Sequence, residues 1–435
     1  MSEYLFNPNL LMLVSMVSVG VWLVFYRKTL RYEPRQRIVL GSIVSLLLFS
    51  MQLLLIRSAF GLQDTPTAMY YLVLVCNIFL VFTLVQFGLR HWRKLTYGAL
   101  SLLCGLILLA ITLNNYYRYL PTFQAFFQTA TRGPVSTITA VHQHHNYAIV
   151  PLESALYSNG FTQGSVTTIN IPGTASHLKA RSSYVYLPPA YGDAAFKQVR
   201  FPLLVLLTGV PGTPSNWLQG GELAATTNEF ASHHKGITPI VVIADHSGSF
   251  GNDTECVDSP HGNADTYLTS DVPAYMKAHY RILNNPNNWG IAGLSEGGMC
   301  AAMLTLKHQN IYRHFLDLSG APYPYLNNSR LTLPVLFHGS KRAQQTSNIN
   351  WLLNHQQLDR NLTAQFAIGA NDSKRLISEM RQTYSIASSK RIITSYEVIS
   401  HQGHSYGAWS QGYADALPKL SYYLGATECD STCTQ

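Results

Sequence analysis

Trp289-Gly290-Ile291-Ala292-Gly293-Leu294-Ser295-Glu296-Gly297 decides the fold. Residues 289–293 read as a short apolar strand, and the segment from Glu296 towards His308 reads as a helix. Between them stands a serine with a glycine two positions to either side. A chain that turns directly from strand into helix leaves no room for side chains beside the turn and strains the residue at its tip. In return the Ser295 hydroxyl stands above the sheet. The first N–H groups of the helix, which lack intrahelical acceptors, face the same space. This is a G-x-S-x-G elbow in strand–turn–helix context, the arrangement that presents a serine as a nucleophile.

A serine hydroxyl needs a base, and the base needs an acid to orient it; with this elbow the chain order is Ser, acid, His. His308 follows on the elbow helix and His314 precedes a strand, so both read as structural. His401 and His404 lie in Ser400-His401-Gln402-Gly403-His404-Ser405-Tyr406, a glycine-containing loop between the last strand and the last helix. His404 is the candidate base and His401 the alternative. Phe366-Ala367-Ile368-Gly369-Ala370-Asn371-Asp372 reads as a strand and turn that deliver Asp372 as the acid. Asp317, nearer the elbow, is its competitor and reads better as a buried strand-end residue. In Leu206-Leu207-Thr208-Gly209-Val210-Pro211, Pro211 has no N–H, so the backbone of Val210 is a candidate oxyanion donor, with Glu296 supplying the other. Trp217 and Tyr406 are the candidate substrate-binding aromatics.

The surrounding pattern is of short, continuously apolar strands alternating with helices. Strands are predicted at 164–171, 181–187, 203–208, 239–244, 289–293, 315–318, 334–338, 365–368 and 393–398. Helices are predicted at 221–234, 268–279, 296–309, 373–387 and 408–424. Such alternation implies an α/β fold with a mainly parallel sheet covered on both faces. The first strands lack intervening helices, which predicts an antiparallel edge.

Taken together, Arg181–Tyr191, the Thr208-Gly209 turn with Trp217, the Gly293–Gly298 elbow, Gly369-Ala370-Asn371-Asp372 and Gly403-His404 with Trp409 resemble the putative-esterase family. That family includes esterase D (S-formylglutathione hydrolase), feruloyl esterases and mycolyltransferases. The resemblance spans about residues 165–425. It implies an α/β-hydrolase fold, triad roles for Ser295, Asp372 and His404, and oxyanion-hole roles for Val210 and Glu296. The chain departs from the mycolyltransferases at Thr208-Gly209-Val210-Pro211, where they carry Asp-Gly-Leu-Arg, and in offering Asp372 where they often use Glu.

The first third of the chain is different in kind. Apolar stretches at about 9–26, 38–56, 69–89 and 97–114 have no Asp, Glu, Lys or Arg in their interiors, and each is long enough to cross a bilayer. The net charge of +8 arises here: residues 1–120 hold ten Lys/Arg against three acids, whereas the remainder holds 20 against 19. This distribution gives no basic stripe for nucleic acid. Arg27, Lys28, Arg31, Arg35 and Arg37 follow the first stretch, and Arg90, Arg93 and Lys94 follow the third. Basic loops stay in the cytoplasm, which predicts an outward N-terminus and everything after residue 115 outside. Glu3 before the first apolar run, with the basic residues after it, argues for a retained anchor over a cleaved signal peptide.

The expected organisation is therefore a four-span transmembrane module (1–114), a linker and domain edge (115–160), an extracytoplasmic catalytic domain (161–425) and a tail (426–435). His142, His144 and His145 read as a solvated loop, and no metal or cofactor is expected. Cys76 and Cys104 read as packing residues within spans. Cys256, Cys300, Cys429 and Cys433 lie where disulfides are permitted, and they allow three pairings.

The expected function is a membrane-anchored serine esterase in the cell envelope acting through an acyl-enzyme. The alternatives are an acyltransferase moving chains between envelope lipids or glycans, and a non-catalytic membrane-tethered binding protein. The expected partners are an ester, acyl-lipid or acyl-glycan substrate and the lipid bilayer.

Overall fold

The computed structural model describes residues 163–427 apart from position 391, together with Leu103. The chain divides into two units, Met1–Phe127 and Gln128–Gln435. The four predicted spans apart from Leu103, the linker, the His142–His145 cluster, Cys76, Cys104, Cys429 and Cys433 lie outside the described residues. Among the described residues no helix is long and apolar enough to cross a membrane.

Eight strands form one sheet: β1 Ser165–Ile169, β2 Ser183–Leu187, β3 Leu203–Leu207, β4 Ile240–Ile243, β5 Trp289–Leu294, β6 His314–Leu318, β7 Thr363–Gly369 and β8 Ile393–Ile399. Their order is β1-β2-β4-β3-β5-β6-β7-β8. β1 pairs antiparallel with β2, and β2 antiparallel with β4, giving the antiparallel edge. From β4 to β8 every pairing is parallel.

The sequences of the strands follow from their places. β3 (LLVLL) and β4 (IVVI) are buried at every position, as central parallel strands covered on both faces must be. β8 is the far edge, and its burial falls away accordingly, with Ile393 and Val398 exposed.

Among the described residues five principal helices accompany the sheet: α1 Leu223–His233, α2 Val272–His279, α3 Glu296–Lys307, α4 Lys374–Ser389 and α5 Tyr406–Tyr423. α2 continues a π turn at Tyr267–Asp271. α3 packs on β5, β6 and β3, while α5 packs on β7, β6, β8 and α1. α3 carries ten buried residues in sequence from Gly297 to Leu306, so it is a core helix rather than an amphipathic surface one. α5 comes close to the sheet at Gly412, where a Cβ would stand 3.0 Å from both Ala367 and Leu318.

One predicted strand is absent. Residues 334–338 contribute to a helical segment, a π turn at Thr332–Leu336. Pro334 has no N–H to give a ladder. Within the segment Thr332 and Leu336 are buried four residues apart with Pro334 exposed between them, a helical period and not a strand's.

Candidate active site

The site assembles at the carboxyl ends of the parallel strands, where open α/β sheets place their ligand crevices. Ser295 follows the last residue of β5 and precedes α3, with φ 55° and ψ −121°. Such a conformation costs a non-glycine residue on the order of 1–3 kcal/mol and persists only where the surroundings impose it. They do so here. The Ser295 N–H donates to the Leu318 carbonyl at 2.8 Å, and its carbonyl accepts from the N–H groups of Gly298 and Met299. A Cβ on Gly293 would lie 2.2 Å from the Gly297 carbonyl oxygen, and one on Gly297 would lie 2.5 Å from that of Thr208. The two glycines of the motif are thus required by close backbone approach.

Two later loops meet Ser295. β7 ends at Gly369, and Asp372 follows before the Ser373 N-cap of α4. β8 ends at Ile399, and His404 precedes α5. The loops are joined, since the Asn371 N–H donates to the Gln402 carbonyl at 2.7 Å. His404 Nε2 lies 2.9 Å from Ser295 Oγ, and His404 Nδ1 lies 2.9 Å from Asp372 Oδ2. The other Asp372 oxygen accepts from the Ser373 N–H at 2.7 Å. The Asp372 side chain is buried and that of His404 is partly exposed. The Trp409 ring stands edge-on to His404, centroids 4.9 Å apart, and holds its plane. Three residues far apart in sequence therefore form one hydrogen-bonded chain.

The alternatives fall elsewhere. His401 is exposed, with φ 61°. Asp317 lies beneath the elbow, where Oδ1 accepts from the Gly320 N–H at 2.7 Å. Burial pushes its carboxyl up to about 7, partly offset by that hydrogen bond.

Glu296 opens α3, so its N–H is among those with no intrahelical acceptor. Val210 follows Gly209, where a Cβ would stand 2.9 Å from that of Ser295, which brings the turn after β3 against the nucleophile. The Val210–Pro211 peptide is cis.

The two aromatic residues expected to touch substrate are buried. Trp217 is wholly buried; its Nε1 donates to the Leu207 carbonyl at 3.0 Å, and its ring packs against Tyr413. Tyr406 is 5% exposed, with its ring over Gly220 and Trp409. Both are large enough that the core claims them before the cleft can.

A second group of residues adjoins the nucleophile, and it includes two that no motif marks in the sequence, Asp245 and His246. β4 ends at Ile243, and Asp245 and His246 follow. Asp245 holds Arg181 through two guanidinium nitrogens, at 3.0 and 2.6 Å. Although burial opposes its charge, this pairing keeps the Asp245 carboxyl below the usual range. His246 Nε2 lies 3.5 Å from Glu296 Oε2, and Glu296 Oε1 accepts from the Glu255 N–H at 2.9 Å. Cys256 and Cys300 form a disulfide that ties the loop after β4 to α3. His246, Glu296 and the two sulfurs converge as metal ligands would, but the sulfurs are bonded to each other, so the set does not fit an ion. The signal for Asp245 and His246 is their position just after a central parallel strand.

Comparison with known proteins gives the family and the fold. The family model described as Putative esterase matches residues 177–420. An uncharacterised protein of Corynebacterium glutamicum is 30% identical over 347 residues, covering 78% of this chain and 78% of that protein. A solved ferulic acid esterase, 18% identical, superposes with a TM-score of 0.52 over 60% of this chain and 99% of its own, which shows the shared α/β-hydrolase fold. An S-formylglutathione hydrolase from Agrobacterium tumefaciens, 19% identical, covers 61% of this chain and 98% of its own at a TM-score of 0.49. The chain belongs to the Putative esterase family and is a carboxylic ester hydrolase.

Proposed function

We propose that this esterase works through a Ser295–His404–Asp372 triad and an acyl-enzyme, in an extracytoplasmic domain anchored to the membrane by the N-terminal third of the chain. The observation that carries the catalytic reading is the continuous hydrogen-bonded chain from Ser295 Oγ through His404 to Asp372. His404 Nε2 takes the proton of Ser295 as Oγ attacks the ester carbonyl. The N–H groups of Val210 and Glu296 stabilise the tetrahedral oxyanion. His404 then returns the proton to the departing alcohol, leaving Ser295 acylated. A water molecule, deprotonated by His404, releases the acid. Asp372 holds the imidazole tautomer and balances the imidazolium. An alcohol in place of that water makes the same enzyme an acyltransferase.

The membrane placement rests on the four apolar stretches and their basic loops. The Cys256–Cys300 disulfide supports an oxidising compartment for the catalytic domain. On this reading the substrates are esters of the envelope, acyl-lipids or acyl-glycans, met at the outer membrane surface.

One experiment tests both parts. A membrane-impermeant fluorophosphonate probe is applied to intact cells carrying the full chain, and turnover of a short acyl ester is measured on the detergent-solubilised protein. Labelling and turnover that both disappear in Ser295→Ala are expected. Unlabelled wild type, or turnover that survives in the variant, overturns the reading.

A further inference from the structure

Glu296 occupies an awkward place for a carboxylate. Its N–H is offered to an oxyanion, while its own side chain carries negative charge into the first turn of the same helix. An uncompensated charge so near opposes the transition state that the turn is meant to stabilise. Three observations show how the fold deals with it. The Glu296 side chain is only 7% exposed, so water does not screen it. Its Oε2 faces His246 Nε2 at 3.5 Å, and His246 is wholly buried. Among the described residues neither His246 nitrogen has a hydrogen-bond partner, so the Glu296 carboxylate is the group that this imidazole answers.

The other charged groups around the pair are accounted for. Asp245 adjoins His246 and is committed to Arg181. On the far side of Glu296 stand Asp253 and Glu255. Burial, then Glu296, pushes Asp253 up to about 7; burial, then Asp253 and Glu296, pushes Glu255 well above the carboxylate range. Burial works against an imidazolium at His246, but Glu296 and then Asp245 outweigh it over the opposing Arg181, and the net shift is upward. The Cys256–Cys300 disulfide fixes the loop bearing Asp253 and Glu255 to α3, which begins at Glu296.

We propose that His246 is a positioning residue for the oxyanion hole: its ion pair with Glu296 neutralises the carboxylate beside the nucleophile and holds the first turn of α3 in place. This rests on the assignment of Ser295 as nucleophile and Glu296 N–H as oxyanion donor. Loss of the positive partner leaves the Glu296 charge facing the oxyanion, and turnover falls while binding of the neutral ester does not. The same happens in the wild type when rising pH deprotonates His246, so kcat has an alkaline limb.

The test is a double-mutant cycle on the full chain in detergent, with a short neutral acyl ester as substrate. His246→Asn is expected to lower kcat ten- to a hundredfold, with KM changed by less than about threefold. In the Glu296→Gln background, where no charge remains to neutralise, the same substitution is expected to cost less than about threefold relative to Glu296→Gln alone. Glu296→Gln is also expected to abolish the alkaline limb of kcat. That measurement decides the matter even if His246→Asn does not fold. An equal cost of His246→Asn in both backgrounds, or an alkaline limb unchanged by Glu296→Gln, overturns the inference. Ser295→Ala separates the two levels: an inactive Ser295→Ala with no His246–Glu296 coupling removes this inference alone, whereas an active Ser295→Ala removes the triad as well.

Discussion

Replacing Asp372 by Asn changes one atom in the hydrogen-bonded chain and reverses its polarity. In the native arrangement Asp372 Oδ2 accepts from His404 Nδ1 at 2.9 Å, which leaves Nε2 free to take the Ser295 proton at 2.9 Å. An asparagine here keeps the shape, and its oxygen can still accept from the Ser373 N–H. Its amide nitrogen then faces His404 and donates, so the proton moves to Nε2 and the imidazole no longer accepts from Ser295. Loss of the correct tautomer in a serine triad costs roughly 10⁴ in kcat, about 5 kcal/mol of transition-state stabilisation. The assay is steady-state hydrolysis of a short acyl ester by the full chain in detergent, with Asp317→Asn as the companion variant. Asp317 is also a buried carboxyl near the elbow, but it is bonded to Gly320 and not to His404. A drop of about three to four decades in Asp372→Asn, with Asp317→Asn within about tenfold of wild type, is expected. If Asp372→Asn kept turnover within tenfold while Asp317→Asn lost it, the acid would be misassigned.

Other outcomes follow from the same geometry. Asp317 has a folded-state pKa of about 7 against an ordinary 3.8, so it holds its proton more tightly when folded. Its contribution to stability is full below the ordinary value and is lost as pH rises through about 7. Denaturant titrations should show a wild-type decline over that window that is shallower in Asp317→Asn; identical slopes would refute the assignment. Trp217→Phe removes the hydrogen bond to the Leu207 carbonyl and should cost about 1 kcal/mol of stability with KM unchanged; a selective rise in KM would return Trp217 to the substrate site. The Cys256–Cys300 bond closes a 44-residue separation, for which chain entropy gives about 4 kcal/mol. Equilibrium unfolding of a Cys256→Ser/Cys300→Ser protein reads this directly, and stability equal to wild type would mean that the loop is held by packing alone.

The parts of the site that could be read from sequence are those with a local cause. Ser295 announces itself because the glycines around it mark a tight strand-to-helix turn, and Asp372 and His404 because each follows the end of a strand. The burial of Trp217 and Tyr406 is not legible in the sequence, because type and proximity do not say which way a large ring turns; in the structure both are buried. Residues 334–338 look like a strand by composition, and only the burial of Thr332 and Leu336 shows the helical period. The pairing of Cys256 with Cys300 and of His246 with Glu296 depends on the crossing of two distant segments, and no local pattern encodes it.

The bare backbone around Ser295 divides the molecule into parts with different freedom to change over generations. A methyl group on Gly293 or Gly297 would have to occupy space within 2.5 Å of a carbonyl oxygen, so drift at these positions is closed off. The loops that deliver Val210, Asp372 and His404 come from three separate strand ends, and they meet the elbow from outside it. New ester preferences in descendants of this chain are therefore expected to arise by exchange of the rim while the bend beneath it stays as it is.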